Sequence, residues 1–469
     1  MRRAVVVIAL LFAANAFAGT GRILIVNADR GGEGLNDPTP AAPVGGNPGT
    51  TLGAQRLNVF LAAAERWQSS LDLKVDILIS ARFAPITRDC NATSGILGFA
   101  GAVEWRHDFP GAPRSDVWYP IALANQFALT DLSPSNPDIS MQFNSAIGTS
   151  TCLSSLSWYY GLDRKHGTSS DLFVVALHEI AHGLGISGTT SDTGDFFQGL
   201  PSVFDTHTLD VLAGLRWDQM SPEQRRVSMT NSGSLVWGGS NVRDAMARHL
   251  EPMVVLGVNS RDYEVGAASF GPAANRRFVA GRMVLAADAA NDEGPSTTDA
   301  CTAFTNASDV AGRIVLADRG TCTFVTKARN AQAAGALALV VANNVETCQP
   351  LAMGGTADDI TIPAIGVKKS DGDEMKAQLA AAEVNASLRA DPARLAGTNA
   401  PGGYLRLFAP CTFDPGSSTH HWDDTATPNL LMEPFVNGDL LHGLDLTLYQ
   451  MLDIGWSLPP RSGRRIGKR

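Results

Sequence analysis

Residues 171–185 read Asp171-Leu172-Phe173-Val174-Val175-Ala176-Leu177-His178-Glu179-Ile180-Ala181-His182-Gly183-Leu184-Gly185. Ser169, Ser170 and Asp171 offer an N-cap, and Gly183 and Gly185 offer a stop. The stretch therefore predicts a helix over 171–184. It is apolar almost all round, so the helix is expected to be buried. Two histidines and a glutamate interrupt it. Burying three polar groups without a task is costly, which argues against an amphipathic helix with incidental histidines.

His178 and His182 stand at i and i+4, so their imidazoles share one helical face. That spacing suits two ligands of one zinc ion. Glu179 lies on the adjoining face, where a carboxylate can take a proton from water. Two imidazoles leave a catalytic site one ligand short. In the extended motif HExxHxxGxxH, Gly185 fits the glycine, but Gly188 stands where a third histidine is needed. The other histidines are His107, His166, His207, His249, His420, His421 and His442. Asp192 and Asp195 are acidic rivals from the loop that follows the helix.

Working outward, Arg2-Arg3, the apolar run 4–14 and Ala16-Phe17-Ala18 form a three-part export signal over 1–18. The expected location is secreted, with the periplasm and the cell surface as alternatives. Six cysteines, Cys90, Cys152, Cys301, Cys322, Cys348 and Cys411, then read as disulfides. Fifteen pairings are available. Cys90–Cys152 is favoured because no other cysteine lies in the first half. The chain has 469 residues, 44% hydrophobic and 18% charged, which excludes a mainly disordered protein and calls for two or three domains. A net charge of −9 argues against a nucleic-acid binder. No internal apolar run is long enough to span a membrane. The last residues, 459–469, form a basic tail.

Further elements follow from pattern. Strands are predicted over 23–27, 75–84 and 139–143, with a helix over 52–71 and a Gly/Pro-rich loop over 31–53. The segment 138–145 is either an edge strand for an extended substrate or an ordinary sheet strand, since pattern does not reveal an unpaired edge. Asp29, Glu33 and Asp37 are either a calcium site or a solvated acidic loop. From about 250 to 395 the texture changes. Strands are predicted over 310–318, 336–342 and 360–367, with helices over 324–334 and 373–382. Strand–helix–strand in about 30 residues is an α/β crossover unit.

Two resemblances draw these segments together. Thr419-His420-His421-Trp422 precedes Asn429-Leu430-Leu431-Met432-Glu433-Pro434. With the 171–188 stretch, this resembles the leishmanolysin-like metzincins, in which the third histidine follows a long insertion and is followed directly by Trp. The resemblance implies zinc bound by His178, His182 and His421, with Glu179 as general base, Gly185 as the turn glycine and Met432 in the turn beneath the metal. His420 is the alternative to His421. The second and third ligands are 239 positions apart (421 − 182). The run from Gly312 to Phe324 and that from Lys327 to Ala336 resemble the protease-associated (PA) domain, which would supply the insert.

The resulting expectation is an α/β protein: an α+β metzincin-like catalytic domain, with a twisted sheet and active-site helix, split by an inserted α/β PA domain. The expected boundaries are signal peptide 1–18, catalytic domain 19–249 and 396–458, PA domain 250–395, and basic tail 459–469. The expected activity is zinc-dependent endopeptidase hydrolysis of proteins or peptides. The alternative is a secreted PA-domain binding or adhesion protein with a structural zinc.

Overall fold

The computed structural model describes residues 21–274, 277–292, 294–399 and 402–460. The expected signal peptide and nearly all of the basic tail lie outside these residues. The chain forms two compact units: Met1–Thr189 with Leu200–Phe204 and Leu441–Arg469, and Thr190–Gly199 with Asp205–Leu440. Among the described residues, no helix is long and apolar enough to cross a membrane.

The first unit is built on a four-stranded sheet. Its strands are β1 (Ile23–Asn27), β2 (Ile77–Ala84), β3 (Gly98–Ala102) and β4 (Ile139–Asn144). They are ordered β1-β2-β4-β3. β1, β2 and β4 run parallel, and β3 closes the sheet antiparallel to β4, with Gly98 opposite Phe143. Helix α1 (Leu52–Gln68) crosses from β1 to β2. Thr51 caps it, accepting from the Ala54 N–H at 3.2 Å. Val59, Phe60, Ala63, Ala64 and Trp67 form its buried stripe. Helix α2 (Ile121–Ala128) precedes β4. Helix α3 (Leu172–Leu184) carries the quoted motif.

α3 is fixed from three sides within this unit. The Trp67 indole on α1 donates to the Leu177 carbonyl at 3.0 Å. The Trp456 indole, after the C-terminal helix Asp445–Ile454, donates to the Leu184 carbonyl at 3.0 Å. Against the sheet, Gly183 packs so closely that an added Cβ would sit 2.4 Å from Ile139 Cγ2. Gly183 is therefore no stop signal. It lies inside the helix, as the residue that lets α3 approach β4.

The strand at 138–145 is the ordinary, interior alternative: it is β4, with β2 on one side and β3 on the other, and the sheet edges are β1 and β3. In the acidic loop, Asp29 and Asp37 accept from protein donors. Asp29 accepts from the N–H groups of Leu35 (2.8 Å) and Phe83 (3.0 Å), and Asp37 accepts from the Arg56 guanidinium (3.1 Å).

The second unit holds an eight-stranded sheet. Its strands are β5 (Pro252–Val258), β6 (Arg261–Glu264), β7 (Gly266–Ala267), β8 (Val279–Leu285), β9 (Ile314–Asp318), β10 (Ala338–Ala342), β11 (Ala364–Val367) and β12 (Val384–Leu395). The order is β6-β5-β12-β8-β9-β10-β11-β7, with β8 to β11 parallel. Helices α4 (Phe324–Ala333) and α5 (Lys369–Ala381) follow β9 and β11. Ile314 and Leu316 face one core, and Val315 and Ala317 the other. Burial on both faces is what a parallel sheet requires. The strand expected from 310 begins only at Ile314, because Ala307–Val310 is a short helix and Gly312 turns the chain at φ +72°. Two of the expected starts move inward: β10 begins at Ala338, and β11 at Ala364, after Pro363.

Disulfides join Cys90 to Cys152, Cys301 to Cys322 and Cys348 to Cys411. The expected Cys90–Cys152 bridge is present.

The packing of Gly183 yields a test. Gly→Ala inside a helix ordinarily stabilises, by about 1 kcal/mol. Here the stiff Ile139 side chain stands in the way, so overpacking of about 1–3 kcal/mol should prevail. Gly183→Ala is expected to lower the melting temperature, and its cost to shrink when it is made in an Ile139→Ala background. A stabilised single variant would contradict the close packing.

Candidate metal centre

α3 begins at Asp171, whose Oδ1 accepts the Phe173 N–H at 3.0 Å. The other oxygen, Oδ2, lies 2.8 Å from His442 Nε2, and the His442 ring packs on Phe173 at 4.3 Å. One carboxylate thus caps the helix and ties it to the segment before the C-terminal helix.

Two turns later the helix presents His178 and His182, with Nε2 atoms 3.1 Å apart. The chain turns at Gly185, where φ is +128° and a Cβ would meet Ile454 Cδ1 at 2.9 Å. This turn brings the Ile186 carbonyl back to His182, which donates its Nδ1–H to that oxygen at 2.6 Å. Burial pushes the His182 pKa down, favouring the neutral ring. A neutral imidazole protonated at Nδ1 carries a lone pair on Nε2. The Gly185 turn therefore sets the tautomer a metal ligand needs.

Glu179 is 5% exposed, and its Oε2 has no hydrogen-bond partner. Burial pushes its carboxyl up to about 8, against a backbone hydrogen bond from Ala100 that acts to lower it. Ala100 lies on the edge strand β3. Pattern reading missed β3 because Gly98-Phe99-Ala100-Gly101-Ala102 has no apolar–polar alternation. Its glycines are the available signal. A Cβ at Gly98 would lie 3.3 Å from Glu179 Oε1, so a small residue is needed where strand meets carboxylate.

His421 is built by a separate piece of chain. Its Nδ1 lies 2.7 Å from the Ser417 carbonyl, so Nε2 is the nitrogen a metal would use. Its own carbonyl accepts the Phe408 N–H at 2.8 Å. The next residue, Trp422, is fully buried and donates its backbone N–H to the Met432 carbonyl at 2.7 Å. Met432 is likewise fully buried. Glu433 closes the turn, accepting the Leu430 N–H at 2.9 Å.

His178, His182 and His421 form a group whose ligand atoms all lie within 4.8 Å of one another. Among the described residues, neither Asp192, Asp195 nor His420 joins such a group. Asp195 accepts instead from the Thr193 hydroxyl at 2.7 Å. His107 pairs with Asp108 at 2.6 Å, His166 with the Ser169 carbonyl at 3.0 Å, and His207 stacks on Trp237. His249 also stays outside the group. The donor set fits zinc: three imidazoles, two with their second nitrogens on backbone carbonyls. The unpartnered Glu179 Oε2 fits the same centre, because a buried carboxylate oxygen without a protein donor suits an ordered water.

A family model described as "PA domain" matches residues 279–375. The chain is 39% identical over 71 residues to Aminopeptidase YwaD of Bacillus subtilis (strain 168), covering 15% of this chain and 16% of that protein. It is 27% identical over 195 residues to Leucine aminopeptidase 2 of Trichophyton tonsurans, covering 38% and 37%. With Signal peptide peptidase-like 2 of Arabidopsis thaliana it shares 38% identity over 96 residues, covering 19% and 17%. The chain thus spans well under half the length of these relatives. Among solved structures, a Bacillus subtilis zinc aminopeptidase, BSAP, matches at 24% identity and a TM-score of 0.23, over 31% of this chain and 35% of that one.

The shifted carboxyl makes a measurable pH dependence. An unfolded chain ionises Glu179 near 4.5, whereas the metal-free fold keeps it protonated up to about 8. Between those values the folded state binds more protons, so stability falls as pH rises. Glu179→Gln removes this penalty. In chelator, the melting temperature of Glu179→Gln minus that of wild type is expected to grow from pH 5 to pH 8. Zinc should shrink the difference, since its charge stabilises a nearby carboxylate. A difference that does not change with pH would contradict the buried carboxyl. These observations show a mixed α/β chain with a PA domain inserted in it.

Proposed function

We propose that this chain is a secreted zinc-dependent peptidase whose metal is held by His178, His182 and His421. The observation that carries the reading is the convergence of three imidazole ligand atoms within 4.8 Å, on a motif whose next residue is a buried glutamate. Zinc, when bound, lowers the pKa of water toward about 7 and polarises a carbonyl.

The protein groups do the rest. Glu179 takes the proton of the attacking water at Oε2 and returns it to the leaving amine. Its Ala100 hydrogen bond holds the carboxylate in place while it works. An extended peptide adding to the edge of β3 would run along the strand that Glu179 touches. Phe99, 44% exposed on β3, would meet its side chains. His182 and His421 keep their rings oriented through the Ile186 and Ser417 carbonyls. Met432, in the buried turn that accepts the Trp422 N–H, is the platform residue of the metzincin-like reading. The general base argues against a purely structural zinc, which needs none and has four protein ligands. Three disulfides support an oxidising location.

The metzincin-like reading implies cleavage inside a chain. A second reading follows from the relatives named aminopeptidases: removal of N-terminal residues. The relatives also include a signal peptide peptidase-like protein, and the match to Aminopeptidase YwaD is shorter than the PA segment. The chemistry therefore rests on the histidines and Glu179, and the peptide that is cut decides between the two readings.

The test is zinc content with hydrolysis of casein and of an N-acetylated peptide. Wild type is expected to hold one zinc per chain and to cut both. Glu179→Ala should keep zinc and lose activity by about 100-fold or more. His421→Ala should lose zinc. Cleavage that requires a free N-terminus would favour the aminopeptidase reading. A His421→Ala protein with full zinc and activity would overturn the ligand set.

A further inference from the structure

The PA-type sheet and the segment carrying His421 belong to the same compact unit. Three bonds tie them, and all lie close in sequence to His421. The Cys348–Cys411 disulfide joins the loop after β10 to a point ten residues before His421. Gln349, next to that cysteine, donates from Nε2 to Asp423 Oδ2 at 2.8 Å, two residues after His421. Arg406 forms a forked ion pair with Glu264 on β6, at 2.6 and 3.1 Å. A two-armed guanidinium–carboxylate pair fixes direction as well as distance.

The segment has its own partners on the other side. Arg406 bridges to Val236, and the Leu407 N–H donates to the Leu235 carbonyl at 2.9 Å. Leu407 in turn bridges to Trp422. The strand leading to His421 is thus held between the Leu235–Trp237 strand and the PA-type sheet. Cys411 itself lies on an exposed stretch, where neither flanking strand holds it. The disulfide is what anchors that stretch.

We propose that the PA-type module acts as a clamp that sets the position of His421, with Gln349 and the Cys348–Cys411 pair as positioning residues for the metal. This rests on the reading of His421 as a ligand. It differs from a role in admitting substrate, because it places the module's effect on zinc affinity. Groups that orient a ligand commonly govern metal affinity by about 10–100-fold.

The experiment measures zinc affinity by chelator competition on the full chain, together with kcat and KM on a peptide at low and at saturating free zinc. The proteins are wild type, Gln349→Ala, the Cys348→Ala/Cys411→Ala double variant and, as a control, Arg329→Ala. Arg329 pairs with Asp359 on the exposed face of α4. Both clamp variants are expected to bind zinc about tenfold or more weakly. Their activity should return at saturating zinc with KM unchanged, which a misfolded protein would not do. Arg329→Ala should match wild type. The proposal is overturned if Gln349→Ala and the double variant bind zinc as wild type does, or if they raise KM alone. A wild type that binds no zinc would instead overturn the underlying ligand reading.

Discussion

A buried helix that carries two imidazoles and a carboxylate must give those groups partners, and most of the surrounding structure can be derived from that requirement. Water would solvate such groups at no cost, whereas an apolar interior does so only through placed donors and acceptors. The Gly185 turn supplies the Ile186 carbonyl to His182. The edge strand β3 supplies the Ala100 N–H to Glu179. What the protein leaves without a partner is one oxygen of the Glu179 carboxylate. That oxygen is one an ordered water would satisfy.

The same requirement explains the packing. α3 can hold its groups at fixed positions only if it cannot rock. Tryptophan indoles from α1 and from the C-terminal segment bond to its carbonyls, and Gly183 lets it lie against Ile139. Asp171 fixes its start through Phe173 and His442. His421 is held by different means: a carbonyl from Ser417, a fully buried Trp422 and a turn at Met432. A residue 239 positions beyond His182 needs such local anchoring if it is to serve as a ligand, because loop closure over that length gives no directional control.

Much of the site was legible in the sequence. Residues His178, Glu179 and His182 stand out because polar groups interrupt an apolar helix. His421 and Met432 were reached through a family resemblance, since no periodicity links positions so far apart. Other features were hidden for physical reasons. β3 is built from glycine and alanine, so it lacks the alternation by which strands are recognised. Pattern left open whether 138–145 is an edge or an interior strand, because strand order is a property of topology rather than of local pattern. Gly183 looked like a terminator because close packing leaves no mark distinguishable from a stop. In the second unit, β9 to β11 were legible as a crossover unit. The flanking strands β5, β8 and β12 were not, because they pair over long separations. The backbone carbonyls that set the histidine tautomers carry no side-chain signature at all.

The most direct test of the three-histidine centre is zinc-edge X-ray absorption on the purified full-length protein. Three imidazole nitrogens at about 2.0–2.1 Å and one oxygen from water are the expected first shell. A first shell containing sulfur, or one with only two imidazoles and additional carboxylate oxygens, would contradict it.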